Sequence, residues 1–171
     1  MDILKKNFFE LFNIDIAVDI NKSELDEKVK ALQIKFHPDK FASGSDVEKR
    51  LALQLSSHIN DGYKILSDIV LRIEYILKIN NFVKDESKTI NDASFLQEQI
   101  EYNELEESLK EHYDDDLVRN HLNKIKLLLK NSIEDIKLSF KSKDYETMWQ
   151  SLSKLRFYIK NINNLIKMRK S

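Results

Sequence analysis

The side chains with the most chemical character stand together: His37-Pro38-Asp39-Lys40 places an imidazole, a rigid ring and a carboxylate within three positions, and holds the single proline of 171 residues. Proline lacks a backbone donor and pushes the preceding residue out of helical geometry. The amphipathic helix carrying Phe36 is therefore predicted to end at His37, with a sharp loop after it that a partner could read. Other candidate chemistry is sparse. His58, His112 and His121 are scattered and form no metal-spaced cluster with carboxylates, so they read as surface or boundary residues. Cysteine is absent, which removes disulfides, thiol nucleophiles and cysteine-ligated zinc or iron-sulfur sites. The chain has no Gly-rich phosphate loop and no nucleophile motif, so an enzyme reading lacks chemistry and no cofactor or metal is expected.

The elements that must position the loop follow from composition and spacing. Two glycines, one proline and 42% apolar residues describe an all-α chain with enough apolar material for a packed core. A formal charge of -1 provides no overall field toward nucleic acid or an anionic membrane. No run approaches the length that spans a bilayer, and Met1 to Phe12 lacks a signal-peptide block, so a soluble cytoplasmic protein is expected. Helices are predicted from about Leu4 to Phe12 and from Lys22 to Phe36, the latter opened by a Ser23/Asp26 capping box and buried along Leu25, Val29, Leu32 and Phe36. A second box, Ser45/Glu48, opens a long helix with an apolar face of Leu51, Leu55, Ile59, Gly62, Tyr63 and Leu66. A shorter helix spans about Ile69 to Ile79. The polar stretch that follows sets the domain organisation: residues 1–80, a linker over 81–92, and 93–171.

The rear segment reads as three helices, about Ala93 to Glu111, Asp116 to Lys141 and Asp144 to Lys170. Val118, Leu122, Ile125, Leu129, Ile136 and Phe140 form one seam. Tyr145, Met148, Leu152, Leu155, Ile159, Ile162 and Ile166 form another, which predicts a three-helix bundle. Asp114-Asp115-Asp116 stands where acids favour a helix N-terminus.

Taken together, His37-Pro38-Asp39-Lys40, its flanking helices, and Ile59-Asn60-Asp61-Gly62-Tyr63-Lys64-Ile65-Leu66-Ser67-Asp68 followed by Arg72 and Tyr75 resemble a J-domain. That module engages DnaK-type ATPase chaperones and stimulates their hydrolysis of ATP. More narrowly, Phe41-Ala42-Ser43-Gly44-Ser45, Arg72-Ile73-Glu74-Tyr75-Ile76-Leu77, Phe95-Leu96-Gln97-Glu98-Gln99 and Lys154-Leu155-Arg156-Phe157 resemble the HscB family of iron-sulfur cluster biogenesis. The resemblance runs over essentially the whole chain. It implies a J-domain in front and a three-helix domain behind that binds the scaffold protein IscU and delivers it to the chaperone HscA. The alternative reading is a general J-protein adaptor with a different client. Ile69 stands where J-domains commonly have proline, and Gln97 where HscB proteins often have methionine. The Cys-rich N-terminal extension of some eukaryotic relatives is not seen, which favours a bacterial protein over a mitochondrial one.

On a helical wheel Lys30 lies roughly 130° from the buried stripe of its helix, with Lys28 and Lys35 on the other flank. The resemblance assigns Lys30 and Lys35, with Lys28 beside them, to a basic face that docks on the chaperone, and His37, Pro38 and Asp39 to the trigger loop. In the rear domain, Phe95, Tyr102, Leu105, Leu109 and Tyr113 make an inward face, leaving Leu96 and Ile100 outside it near Glu101, Glu104 and Glu107. Phe157 falls about 180° from the seam of the last helix and is expected outside the core. The resemblance assigns Leu96, Ile100, Glu101, Glu104 and Phe157 to scaffold binding.

Overall fold

A computed structural model describes residues 3–83 and 92–169, and every regular element among them is helical. Seven α-helices follow one another: α1 (Phe8–Phe12), α2 (Lys22–Lys35), α3 (Asp46–Ser67), α4 (Ile69–Ile79), α5 (Ala93–Glu111), α6 (Asp115–Ser142) and α7 (Tyr145–Met168). Two short 3-10 turns, Ile3–Lys5 and Pro38–Phe41, stand apart from them. The chain divides into two compact units, Met1–Asn81 and Phe82–Ser171. Most of the linker expected over 81–92 lies outside the described residues.

Caps explain where the helices of the first unit begin. The Asn7 side chain accepts the Glu10 N–H at 2.9 Å, and the Glu10 carboxylate accepts the Asn7 N–H at 3.1 Å. This reciprocal cap starts α1 at Phe8, later than the predicted Leu4. At α2 the cap is Asn21, accepting from the Glu24 N–H at 3.2 Å, so the expected Ser23/Asp26 box is displaced. An amide side chain caps as well as a hydroxyl does. The Ser45/Glu48 box forms as predicted, with the Glu48 carboxylate accepting the Ser45 N–H at 2.8 Å. That bond, foremost, holds the Glu48 carboxyl below its ordinary range.

α2 and α3 run antiparallel, joined where Gln33 donates to Asn60 at 2.9 Å and where the Tyr63 hydroxyl donates to the Asp26 carboxylate, which raises the phenol's pKa. Between α1, α2, α3 and α4 the side chains of Phe9, Phe12, Leu25, Ile59, Leu66, Ile73 and Ile76 are wholly or almost wholly buried. Leu51 is exposed, against expectation, because Ala52 takes the inward position. Gly62 is inward for want of space: a Cβ there would lie 2.7 Å from the Phe8 ring and 2.9 Å from that of Phe12. The missing side chain lets α1 lie against α3.

Asp68 ends α3 and also caps α4, accepting the Leu71 N–H at 2.9 Å. With the cap in place, Ile69 begins the helix without proline. The Arg72 and Tyr75 signature proves structural. Arg72 is buried and donates from Nε to the Val18 carbonyl at 2.9 Å and from Nη1 to that of Leu66. Burial lowers its pKa. Tyr75 accepts the Phe8 N–H at 3.0 Å, and its ring lies 4.8 Å from that of Phe8.

In the second unit, Asp92 caps α5, Asp114 caps α6 and Asp144 caps α7. The α6 seam continues through Ser132, Ile136 and Ser139, all buried, toward a core that includes Met148, Leu152 and Leu155 of α7. The serines escape an apolar count. Ser139 satisfies its hydroxyl on the Asp135 carbonyl at 2.8 Å, as helical serines do. Ile166 and Tyr113, predicted inward, are 39% and 49% exposed.

Candidate functional surfaces

The chemistry-bearing loop is a single 3-10 turn capped by its own histidine. His37 adopts φ -61, ψ 130, the extended geometry a following proline demands, and Pro38 occupies the first position of the turn. His37 Nδ1 accepts the Asp39 N–H at 3.3 Å, and the Asp39 carboxylate stands 3.5 Å from the same nitrogen. The Asp39 side chain is 90% exposed and thus available to an incoming cation. α2 stops at Lys35, one residue short of the predicted Phe36, because Phe36 leaves helical geometry while donating to the Leu32 carbonyl at 2.9 Å.

Lys30 and Lys35 are exposed on α2, Lys35 with its ammonium 5.3 Å from the Phe36 ring. Lys28 differs. Its ammonium donates to the Asn13 carbonyl at 2.6 Å and to Glu24 at 2.5 Å, so it ties α2 to the end of α1. The Glu24–Lys28 spacing of four residues signals this pairing in the sequence.

In the second unit Leu96 and Ile100, one turn apart on α5, are 49% and 52% exposed, with Glu101 and Glu104 exposed beside them. Phe157 corrects the expectation that it stands outside the core. It is half-buried against the cluster of Phe95, Tyr102 and Tyr158, its ring meeting those of Phe95 at 5.4 Å and Tyr102 at 5.8 Å, both edge to face. The physical reason is that α7 has two neighbours, α6 on one side and α5 on the other. A residue opposite the α6 seam therefore faces α5.

Two polar clasps flank this aromatic cluster and account for the motifs around Phe95 and Phe157. Asp92 takes the Lys154 ammonium at 2.6 Å, and Glu98 takes the Tyr158 hydroxyl at 2.6 Å. Lys154, then Ser94 and the Phe95 N–H, hold the Asp92 carboxyl well below the usual carboxylate range. Burial and Glu98 push the Tyr158 phenol far up, and burial pushes Tyr102 up to about 12. Both stay protonated donors.

The α5 wheel alone misses two residues of α6. Lys124 pairs with Glu101 at 3.4 Å, and the His121 ring lies 5.8 Å from Tyr102, half-buried, with a pKa lowered by burial and then by Lys124. Only the register between α5 and α6 brings them to this surface, and periodicity within one helix carries no trace of it. Among the described residues no group of three or more His, Cys, Asp or Glu could hold a metal. No described helix is long and apolar enough to cross a membrane.

Residues 91–167 match the family model for the HSCB C-terminal oligomerisation domain. A "Co-chaperone protein HscB homolog" from Neisseria meningitidis is 35% identical over 159 residues, 92% of this chain and 96% of that protein. One from Shewanella amazonensis is 42% identical over 110 residues, 64% of this chain, and the match spans only 63% of the relative's length. Among solved structures, chaperone HscB from Vibrio cholerae superposes with a TM-score of 0.81 at 28% identity, covering 96% of this chain and 98% of that one. The human co-chaperone protein HscB gives 0.82 at 28% identity, with 97% and 83% covered.

Proposed function

Because this chain belongs to the HscB family of co-chaperones, we propose that it serves iron-sulfur cluster assembly by bringing an IscU-type scaffold protein to a DnaK-class chaperone of the HscA type. In this reading residues 1–80 are the J-domain, 81–92 a linker and 93–171 the scaffold-binding domain. The protein works in the bacterial cytoplasm and performs no bond chemistry of its own; it accelerates its partner's ATPase.

The observation that carries the reading is the self-capped His37-Pro38-Asp39 turn, presented at the end of α2 with Lys30 and Lys35 exposed on the same helix. The lysines would steer an acidic chaperone surface into register, raising the encounter rate at low salt. Asp39 would then take an arginine of the chaperone in a charge-assisted bond, while Pro38 keeps the turn from adapting away. On the rear unit, Leu96 and Ile100 would bury against the scaffold, with Glu101 and Glu104 supplying a polar rim. Phe157, half-buried against Phe95 and Tyr102, would add only the edge it leaves exposed.

The test pairs two measurements on full-length protein. His37→Gln should abolish stimulation of the chaperone's ATPase while leaving calorimetric binding to the scaffold unchanged. Full stimulation by the variant would remove the trigger role, and absence of scaffold binding by the wild type would favour a different client.

A further inference from the structure

Both oxygens of the Glu101 carboxylate are taken by the chain itself. Gln97, one turn earlier on α5, donates to Oε1 at 3.4 Å, and Lys124 of α6 approaches Oε2 at 3.4 Å. These contacts are long for charge-assisted bonds, which settle near 2.7–2.9 Å. Both partners remain wet, with Lys124 and Glu101 side chains 55% and 47% exposed. The clasps nearby are different in kind: Asp92 with Lys154 and Glu98 with Tyr158 close at 2.6 Å among part-buried groups. Glu104, by contrast, has no ion-pair partner among the described residues.

Resting on the scaffold-binding reading, we propose that Lys124 is a specificity residue: it covers Glu101 as an internal stand-in for the partner and yields to a basic side chain of the scaffold. A partner that offers only apolar contact to Leu96 and Ile100 leaves the Glu101–Lys124 pair intact and gains nothing from the acid. One that carries a lysine or arginine at this edge exchanges one ion pair for another and keeps the gain in contact. An exposed pair contributes so little to stability that such an exchange can proceed on binding. Gln97, donating to Oε1 from one turn earlier, keeps the carboxylate oriented during the exchange. His121, three residues before Lys124, is half-buried and its pKa is lowered, so near neutral pH it adds no competing positive charge.

The test is a double-mutant cycle read by calorimetric titration of the full-length protein with an IscU-type scaffold at low salt. Lys124→Gln should tighten binding by about two- to fivefold, the range an exposed pair allows. Glu101→Gln should weaken it, and adding Lys124→Gln to Glu101→Gln should bring no further gain. Lys126→Gln, on the opposite face of α6, should leave the affinity unchanged. Weaker or unaltered binding by Lys124→Gln would overturn the proposal, as would an equal gain in the Glu101→Gln background, which would mean general charge relief. No binding by the wild-type chain would overturn the scaffold reading, and this inference with it.

Discussion

Truncating Leu96 and Ile100 together to alanine separates a docking surface from a structural one. Fully burying such a side chain is worth about 1.5–3 kcal/mol. About half of each is already covered by the chain, since they are 49% and 52% exposed, so a partner can bury the remaining half. That leaves roughly 1 kcal/mol for each residue and roughly 2 kcal/mol for the pair, which is about a 30-fold rise in Kd. The half facing the chain contributes comparably to folding. It is partly offset because alanine is the stronger helix former, so the melting temperature of the second unit should fall by no more than about 10 °C. Calorimetric titration with the scaffold, alongside thermal melts of both proteins, reads the two quantities separately. An unchanged Kd would refute the assignment of this face. A fall in melting temperature beyond about 15 °C would show instead that the two side chains serve the fold.

Phe157→Ala should behave in the opposite way. It removes one ring from the Phe95, Tyr102 and Tyr158 cluster and should cost about 2–4 kcal/mol of stability, visible as an earlier denaturant midpoint. Lys30→Glu should weaken engagement of the chaperone, and the gap to wild type should narrow as salt shortens the Debye length below about 8 Å. Asp92 has its carboxyl pKa depressed in the folded chain by Lys154 and the cap of α5. Its contribution is therefore present above about pH 4, the unfolded range, and is lost as acid protonates it. Asp92→Asn should melt below wild type at pH 7, with the two melting curves converging as pH drops under about 4.

Much of this was open to inspection in the sequence because it is local. The Ser45/Glu48 box, the α4 boundaries and the outward placement of Leu96 and Ile100 depend on spacing within a single helix, and the structure reproduces them. Features that depend on a second helix were not legible. Phe157 reads as outward on a wheel drawn against the α6 seam, because such a wheel leaves out the second neighbour of α7. Ser132 and Ser139 occupy seam positions that apolar counting skips. Lys28 resembles its exposed neighbours in composition, yet its ammonium is bound to a carbonyl fifteen residues away. The turn at His37 was legible in outline from one proline, while the Nδ1 bond that fixes the imidazole needed coordinates.

Gly62 carries a consequence for how this chain can drift. Alanine there would raise intrinsic helix propensity by about 1 kcal/mol, so mutation toward it is favoured locally. The added methyl would meet two phenylalanine rings at 2.7 and 2.9 Å, and one of them, Phe8, also touches His58 and Tyr75. Position 62 is thus coupled to positions 8 and 12: a side chain there requires the Phe8 and Phe12 rings to shift or a smaller residue in their place. Gly62→Ala should therefore either displace α1 from α3 or move the Phe8 and Phe12 rings, and a smaller residue at position 8 should relieve the cost.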